Sequence, residues 1–222
     1  MARTQVNGGR RVATKATPIR VDESVTPHVA APSELMALSA RSDAPAFSAE
    51  YAFTVVMAYG NASERGTCRL EIMAMLRHQE IDPDRIAVMN QRGVDIARNR
   101  AVEQFLLRRE CDWLLMVDRD MIPTADSAPF FTAQGHVVGA MYPLGDEKVW
   151  AEPDRLHCGL MRIHRSVVEK VPPPWFKFVT NERGTMLTEC ECHYFTRRAK
   201  AAGFDVIRAG YCGHAPFGSH RG

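Results

Sequence analysis

The sequence of 222 residues lacks any stretch close to the roughly 18 to 20 consecutive apolar residues that a membrane-spanning helix needs. Its first residues include arginines and no apolar core of a signal peptide, so we expect a cytoplasmic protein without a membrane span. An excess of one charge is also missing, because 28 Lys and Arg stand against 26 Asp and Glu. Binding to a phosphate backbone usually needs a basic excess, and we therefore expect no nucleic-acid partner.

Large apolar side chains are scarce in the first 48 residues, which are basic at first and then rich in Ala, Pro and Ser. A segment of this composition buries too little surface to offset the entropy lost on ordering. We therefore predict a flexible N-terminal tail over residues 1–48 and a single folded domain over residues 49–222.

Short apolar runs alternate with helical segments from residue 52 onward. This alternation predicts βαβ units, and hence an α/β domain with a mainly parallel sheet and helices on both faces. We expect helices over 68–78, 96–109 and 189–202, with the second capped by Asp95 and the last closed by Gly203. A further helix should follow the strand 156–163, pass through Val168 and stop at Pro172. The apolar face of the first helix should consist of Leu70, Met73, Met75 and Leu76. The predicted strands are 53–58, 85–89, 113–117, 137–141, 156–163 and 205–209.

Two aspartates, Asp118 and Asp120, directly follow the predicted strand 113–117. Ligands of open parallel sheets bind beyond the carboxyl ends of the strands, and paired carboxylates there suit Mg²⁺ or Mn²⁺. The alternative is structural, with Asp118 capping a turn and Asp120 lying on the surface.

Segments 93–101 (GVDIARNRA) and 111–120 (CDWLLMVDRD) resemble the nucleotide-sugar half of GT-A fold glycosyltransferases, especially the family 2-like group, in which an ARN helix precedes a strand ending in a DxD motif. The chain is most similar to small members of that group, such as those encoded by bacteriophages. The resemblance continues in order along the chain, in 157–165 (HCGLMRIHR), 191–195 (ECHYF), 197–204 (RRAKAAGF) and 213–214 (GH).

The resemblance implies a metal-dependent glycosyltransferase of the hexosyltransferase type with a Rossmann-like GT-A domain. It would move a sugar from a UDP- or GDP-linked nucleotide-sugar donor to an unknown acceptor. Asp118, Asp120 and His214 would hold Mn²⁺ or Mg²⁺, and the two aspartates would bind the donor diphosphate through it. Because the domain is short for this fold, we expect a partner or a homo-oligomer to complete the acceptor site.

The nucleotide pocket of the family implies roles for three further residues. Arg98 and Asn99 would line the pocket, with a solvated helix face as the alternative for this pair. Tyr59, which follows the first strand, would stack on the base or the ribose. The alternative for Tyr59 is a loop residue that packs on the sheet edge.

The sequence departs from the family at one catalytic position, because Cys192 stands where an aspartate usually serves as the general base. A thiol is a poor base for a hydroxyl group, which leaves Glu191 as the candidate, with Glu189 two positions earlier as the alternative carboxylate. Thr188 and Glu191 also fit a capping box, so Glu191 has a structural alternative.

Four potential zinc ligands lie in two close pairs, Cys190 with Cys192 and Cys212 with His214. A structural zinc site built from them would make the chain a catalytically impaired GT-A-like binding module. This hypothesis competes with the first, since His214 cannot easily serve both metals.

Overall fold

The computed structural model describes residues 43–57, 70–90, 93–142 and 156–214. None of the helices in these ranges is long and apolar enough to cross a membrane. The helices are α1 (Leu70–His78), α2 (Val94–Leu107), α3 (Ala128–Thr132), α4 (Arg165–Lys170) and α5 (Glu191–Ala201). The strands are β1 (Ala52–Met57), β2 (Ile86–Met89), β3 (Trp113–Asp118), β4 (Met121–Pro123), β5 (Val137–Met141), β6 (Leu160–His164), β7 (Val179–Thr180), β8 (Leu187–Glu189) and β9 (Val206–His214).

Seven of these strands form one sheet in the order β2-β1-β3-β6-β5-β9-β4, and β7 and β8 form a separate hairpin. Strands β2, β1, β3, β5 and β9 run in one direction, whereas β6 and β4 run in the opposite direction. The prediction of a mainly parallel sheet in an α/β domain is therefore confirmed, with β6 inserted against the direction of its neighbours.

Strands β1 and β3 are buried on both faces, as their continuous apolar runs predicted. Alternate residues of β3 point to opposite sides, so Leu114 and Leu115 belong to different apolar clusters. One cluster joins β3 to α2, α4 and α5, and the other joins it to α1 and α3. The helices thus cover both faces of the sheet.

Two local predictions about the helices are wrong. The buried face of α1 was expected to include Leu70 and Met73, but these are 83% and 39% exposed. The buried residues of this helix are Ile72, Met75 and Leu76. Helix α2 begins at Val94 with Gly93 as its N-cap, so Asp95 lies in the first turn instead of capping it. A φ of 84° explains the glycine at this cap.

The predicted tail over residues 1–48 lies almost wholly outside the described residues, and its boundary stays a prediction. Within its last part, Ala44 is buried and the ring of Phe47 lies 5.6 Å from that of Trp113. These two side chains therefore belong to the packed part of the chain.

Leu114→Ala should lower the free energy of unfolding by about 2 to 5 kcal/mol, because it leaves a cavity in a fully buried strand. The same substitution at Leu107, which is 83% exposed at the end of α2, should cost less than about 0.5 kcal/mol. Urea unfolding followed by circular dichroism measures both values. Equal losses in the two variants would contradict the described core.

Candidate functional site

The carboxyl end of β3 brings Asp118 to the edge of the sheet where β1 also ends. Met57, the last residue of β1, is paired with Asp118, and the Asp118 amide donates a 2.7 Å hydrogen bond to the Gly159 carbonyl. The chain then turns at Arg119, whose amide donates to the carbonyl of Met57. Two neighbouring elements therefore fix the backbone on both sides of Asp118.

A buried arginine of α2 joins two carboxylates from distant parts of the sequence. Arg98 is 2% exposed, and its Nη2 donates to Asp118 Oδ2 at 2.9 Å. Its Nε lies 3.4 Å from Glu191 Oε1, and its Nη1 donates to the Cys158 carbonyl at 3.2 Å. Asp118, Glu191 and the turn before β6 are thus held by a single guanidinium group.

The second carboxylate oxygen of Asp118 is buried and has no hydrogen-bond partner among the described residues. The pKa of this carboxyl is raised to about 6, mainly because the group is buried; Arg98 lowers the pKa, and the charges of Asp120 and Glu191 raise it. Buried polar atoms are normally paired, so an orphaned carboxylate oxygen fits a site that binds a cation.

The antiparallel pairing of β4 with β9 brings His214 to Asp120. Met121 lies opposite His214 in this ladder, and His214 Nε2 is 3.2 Å from Asp120 Oδ2. The structure therefore brings together two of the three predicted metal ligands, Asp120 and His214. Among the described residues, Asp118, Asp120 and His214 are not a group whose ligand atoms all lie within 4.8 Å of one another, and their binding of a metal stays a prediction.

Tyr142, which no sequence pattern singled out, lies near two histidines. Its ring centre is 5.4 Å from that of His214 and 6.1 Å from that of His157, and its hydroxyl accepts a 3.1 Å hydrogen bond from the Gly159 amide. Burial raises the pKa of Tyr142, as does the charge of Asp118. A Cβ at Gly159 would lie 2.6 Å from the tyrosine ring, so this close approach requires glycine.

A second group of side chains consists of His157, Cys190 and Cys192, whose ligand atoms all lie within 4.8 Å of one another. Hydrogen bonding to Cys158 and burial raise the pKa of Cys192. Hydrogen bonding to Cys192 and burial likewise raise the pKa of Cys190. Neutral thiols of this kind are poor general bases.

The zinc set predicted from Cys190, Cys192, Cys212 and His214 is wrong in its last two members. Cys212 lies in β9 opposite Pro123, and His214 contacts Asp120. Sequence spacing could not show that a turn 33 residues before Cys190 supplies the imidazole.

The capping interpretation of Glu191 is also wrong. The N-cap of α5 is Cys190, so Glu191 is the first helical residue, and its side chain contacts Arg98 instead of a backbone amide. Glu189, the other nearby carboxylate, accepts two hydrogen bonds from Arg197 at 2.8 and 2.9 Å.

Asn99 is bound to the backbone of the loop after the triple proline. Its Oδ1 accepts from the amides of Trp175 and Phe176 at 2.9 and 3.1 Å, and its Nδ2 donates to the Phe176 carbonyl at 2.7 Å. A role in a nucleotide pocket stays a prediction for Asn99. Tyr59 lies outside the described residues, so its predicted stacking is likewise only a prediction.

No protein-family profile and no curated protein matches this sequence. Among solved structures, the chain is similar to a mutant Drosophila beta-1,4-galactosyltransferase 7 in complex with manganese, UDP-Gal and xylobiose, at 16% identity, 77% coverage of this chain, 73% coverage of that chain and a TM-score of 0.52. It is also similar to A197 from STIV, at 17% identity, 72% coverage of this chain, 82% coverage of that chain and a TM-score of 0.50.

Likeness at these identities shows the fold alone. The Rossmann-like GT-A domain predicted from the sequence is therefore confirmed. Membership of the family 2-like group and the DxD function of Asp118 and Asp120 stay predictions.

Asp118→Asn should change how the stability of the metal-free protein depends on pH. Because the folded-state pKa of Asp118 is raised from 3.8 to about 6, the native state binds this proton more tightly than the unfolded chain does. The resulting stabilisation is present below the unfolded pKa and is lost as pH rises through about 6. The difference in pKa corresponds to about 3 kcal/mol.

Urea unfolding in a chelator, from about pH 4 to about pH 7, should show the wild type losing stability relative to Asp118→Asn. Asp126→Asn, at an exposed carboxylate in the turn after β4, is the matched control and should leave the pH profile unchanged. Parallel profiles for the wild type and Asp118→Asn would contradict the described burial.

Proposed function

We propose that this protein is a metal-dependent glycosyltransferase of the hexosyltransferase type that transfers a sugar from a UDP- or GDP-linked donor to an unknown acceptor. The observation that carries the proposal is the orphaned carboxylate oxygen of Asp118 at the end of β3, beside the contact of Asp120 with His214. The GT-A fold supports it, because such sheets bind ligands beyond their strand ends. Further support comes from the structural neighbour, which was solved with manganese and UDP-Gal.

Asp118, Asp120 and His214 would hold Mn²⁺ or Mg²⁺ in this function. Carboxylate oxygens are the ligands that hard divalent cations prefer, and the free Oδ1 of Asp118 is available for one bond. A bound cation would supply charge that neutralises the departing diphosphate, which gains negative charge in the transition state.

Arg98 acts as the positioning residue of the centre. It neutralises part of the charge of Asp118 and Glu191 and holds both carboxylates in place, so neither has to reorganise when substrate binds. Its bond to the Cys158 carbonyl ties the same group to the turn before β6.

Glu191 is the proposed general base. Its Oε1 faces Arg98, which leaves Oε2 to accept a proton. That proton comes from the acceptor hydroxyl group, whose oxygen attacks the sugar. Cys192 is a poor alternative, because hydrogen bonding to Cys158 and burial raise its pKa. Glu189 is a poor alternative because Arg197 occupies both of its oxygens.

UDP and GDP are titrated into the protein in a calorimeter, with and without Mn²⁺. One of the two nucleotides should bind, and its binding should require Mn²⁺. Asp120→Ala should weaken this binding by at least about tenfold. Loss of a residue that merely hydrogen-bonds to a metal ligand costs about this much, and loss of the metal ligand itself should cost no less. Asp126→Ala, at an exposed carboxylate, is the matched control and should bind as the wild type does.

Binding of neither nucleotide to the folded protein would overturn the proposal. If the same preparation then held stoichiometric zinc, the binding-module alternative would take its place. Nucleotide binding of equal strength with and without metal would contradict the roles of Asp118 and Asp120.

Glu191→Gln should lower kcat for release of the nucleotide from its sugar by about 10²- to 10⁴-fold, because a glutamine cannot accept the proton. Nucleotide affinity should be unchanged, since the amide oxygen can still accept a hydrogen bond from Arg98. Glu189→Gln is the matched control, and we expect its kcat to match that of the wild type. Equal losses in both variants would argue against Glu191 as the base.

A further inference from the structure

His157, Cys190 and Cys192 form a compact group of soft ligands near Tyr142, whose ring centre lies 6.1 Å from that of His157. His157 lies in the turn before β6, Cys190 caps α5, and Cys192 is in the first turn of that helix. Cys192 is buried, and the other two are half-buried. The proposed glycosyl transfer uses none of these three side chains.

The distances between the ligand atoms match a tetrahedral metal site. Cys190 Sγ lies 3.5 Å from Cys192 Sγ, and Cys192 Sγ lies 3.8 Å from His157 Nδ1. Bonds of about 2.3 Å to sulfur and about 2.0 to 2.1 Å to nitrogen, at tetrahedral angles, put two sulfurs about 3.8 Å apart and a sulfur and a nitrogen about 3.6 Å apart. The two observed distances therefore agree with a zinc tetrahedron to within a few tenths of an ångström.

We propose that His157, Cys190 and Cys192 bind Zn²⁺ as a second metal site, separate from the carboxylate centre. Thiolate and imidazole ligands select zinc, whereas the carboxylates of Asp118 and Asp120 suit Mg²⁺ or Mn²⁺. Three protein ligands leave a fourth position for a further donor. Binding releases the thiol proton of each cysteine, so two protons leave as two sulfur–zinc bonds form.

The position of the site gives it a consequence for Glu191. The two cysteines flank Glu191, and His157 precedes Cys158, whose carbonyl accepts a hydrogen bond from Arg98. A zinc ion there would tie the start of α5 to the turn before β6. It would thereby fix the backbone on both sides of the Arg98 contact. The site itself does not depend on the proposed transferase function.

Titration of Co²⁺ into the metal-free, fully reduced full-length chain tests the proposal. Cobalt bound by thiolates gives an intense charge-transfer absorption that a carboxylate site cannot give. We expect this band to saturate at one equivalent and to disappear when Zn²⁺ displaces Co²⁺. Asp120→Ala should retain the band, which separates this site from the carboxylate centre.

Cys190→Ser and Cys192→Ser should each lose the band, whereas Cys212→Ser, at a buried thiol of β9, is the matched control and should retain it. Circular dichroism of each variant checks that it is folded. A second measurement needs only the wild type: one equivalent of Zn²⁺ should protect two thiols from alkylation, identified by mass spectrometry as Cys190 and Cys192.

Absence of the band in the wild type would overturn the proposal, as would its loss in Cys212→Ser while Cys190→Ser retained it. Protection of a different pair of thiols would do the same. Failure of UDP and GDP to bind would leave the cobalt result untouched, so the two proposals fail independently.

Discussion

The candidate site depends on one interaction, the contact of a buried guanidinium group with two carboxylates. Arg98 comes from α2, Asp118 from the end of β3 and Glu191 from the start of α5. Without the arginine, two negative charges would lie buried near each other with no compensating cation. Loss of one partner from a buried ion pair typically costs about 3 to 5 kcal/mol. This contact therefore constrains both the stability of the fold and the geometry of the site.

The sequence was sufficient to predict most of the sheet, because β1 and β3 are buried on both faces and appear as unbroken apolar runs. It failed where the pattern was short or polar. Strand β4 has three residues and includes a proline, and it becomes a strand only by pairing with β9. The face of α1 was wrong because Leu70 and Met73 look apolar in sequence but lie outside the contact with the sheet.

The site was predictable to the extent that its residues follow strand ends. Asp118 and Asp120 were found in this way, and the same rule applied to β5 would have indicated Tyr142. The partners of these residues were not predictable, since they depend on which distant segments the fold brings together. Thr188 and Glu191 fit a capping pattern, yet Arg98, 93 residues earlier, binds the Glu191 carboxylate. Only tertiary packing could decide between the two interpretations of Glu191.

The place of β9 in the sheet has a consequence for biosynthesis. Although β9 is the last described strand in the chain, it lies inside the sheet between β5 and β4. A nascent chain on the ribosome can build β1, β2 and β3 early, but in the described part of the chain β4 pairs with β9 alone and must wait until β9 emerges. His214 reaches Asp120 at the same moment. The contact between Asp120 and His214 is thus delayed until the chain as far as His214 has left the exit tunnel. A chain truncated before β9 would carry Asp118 and Asp120 but would lack the histidine.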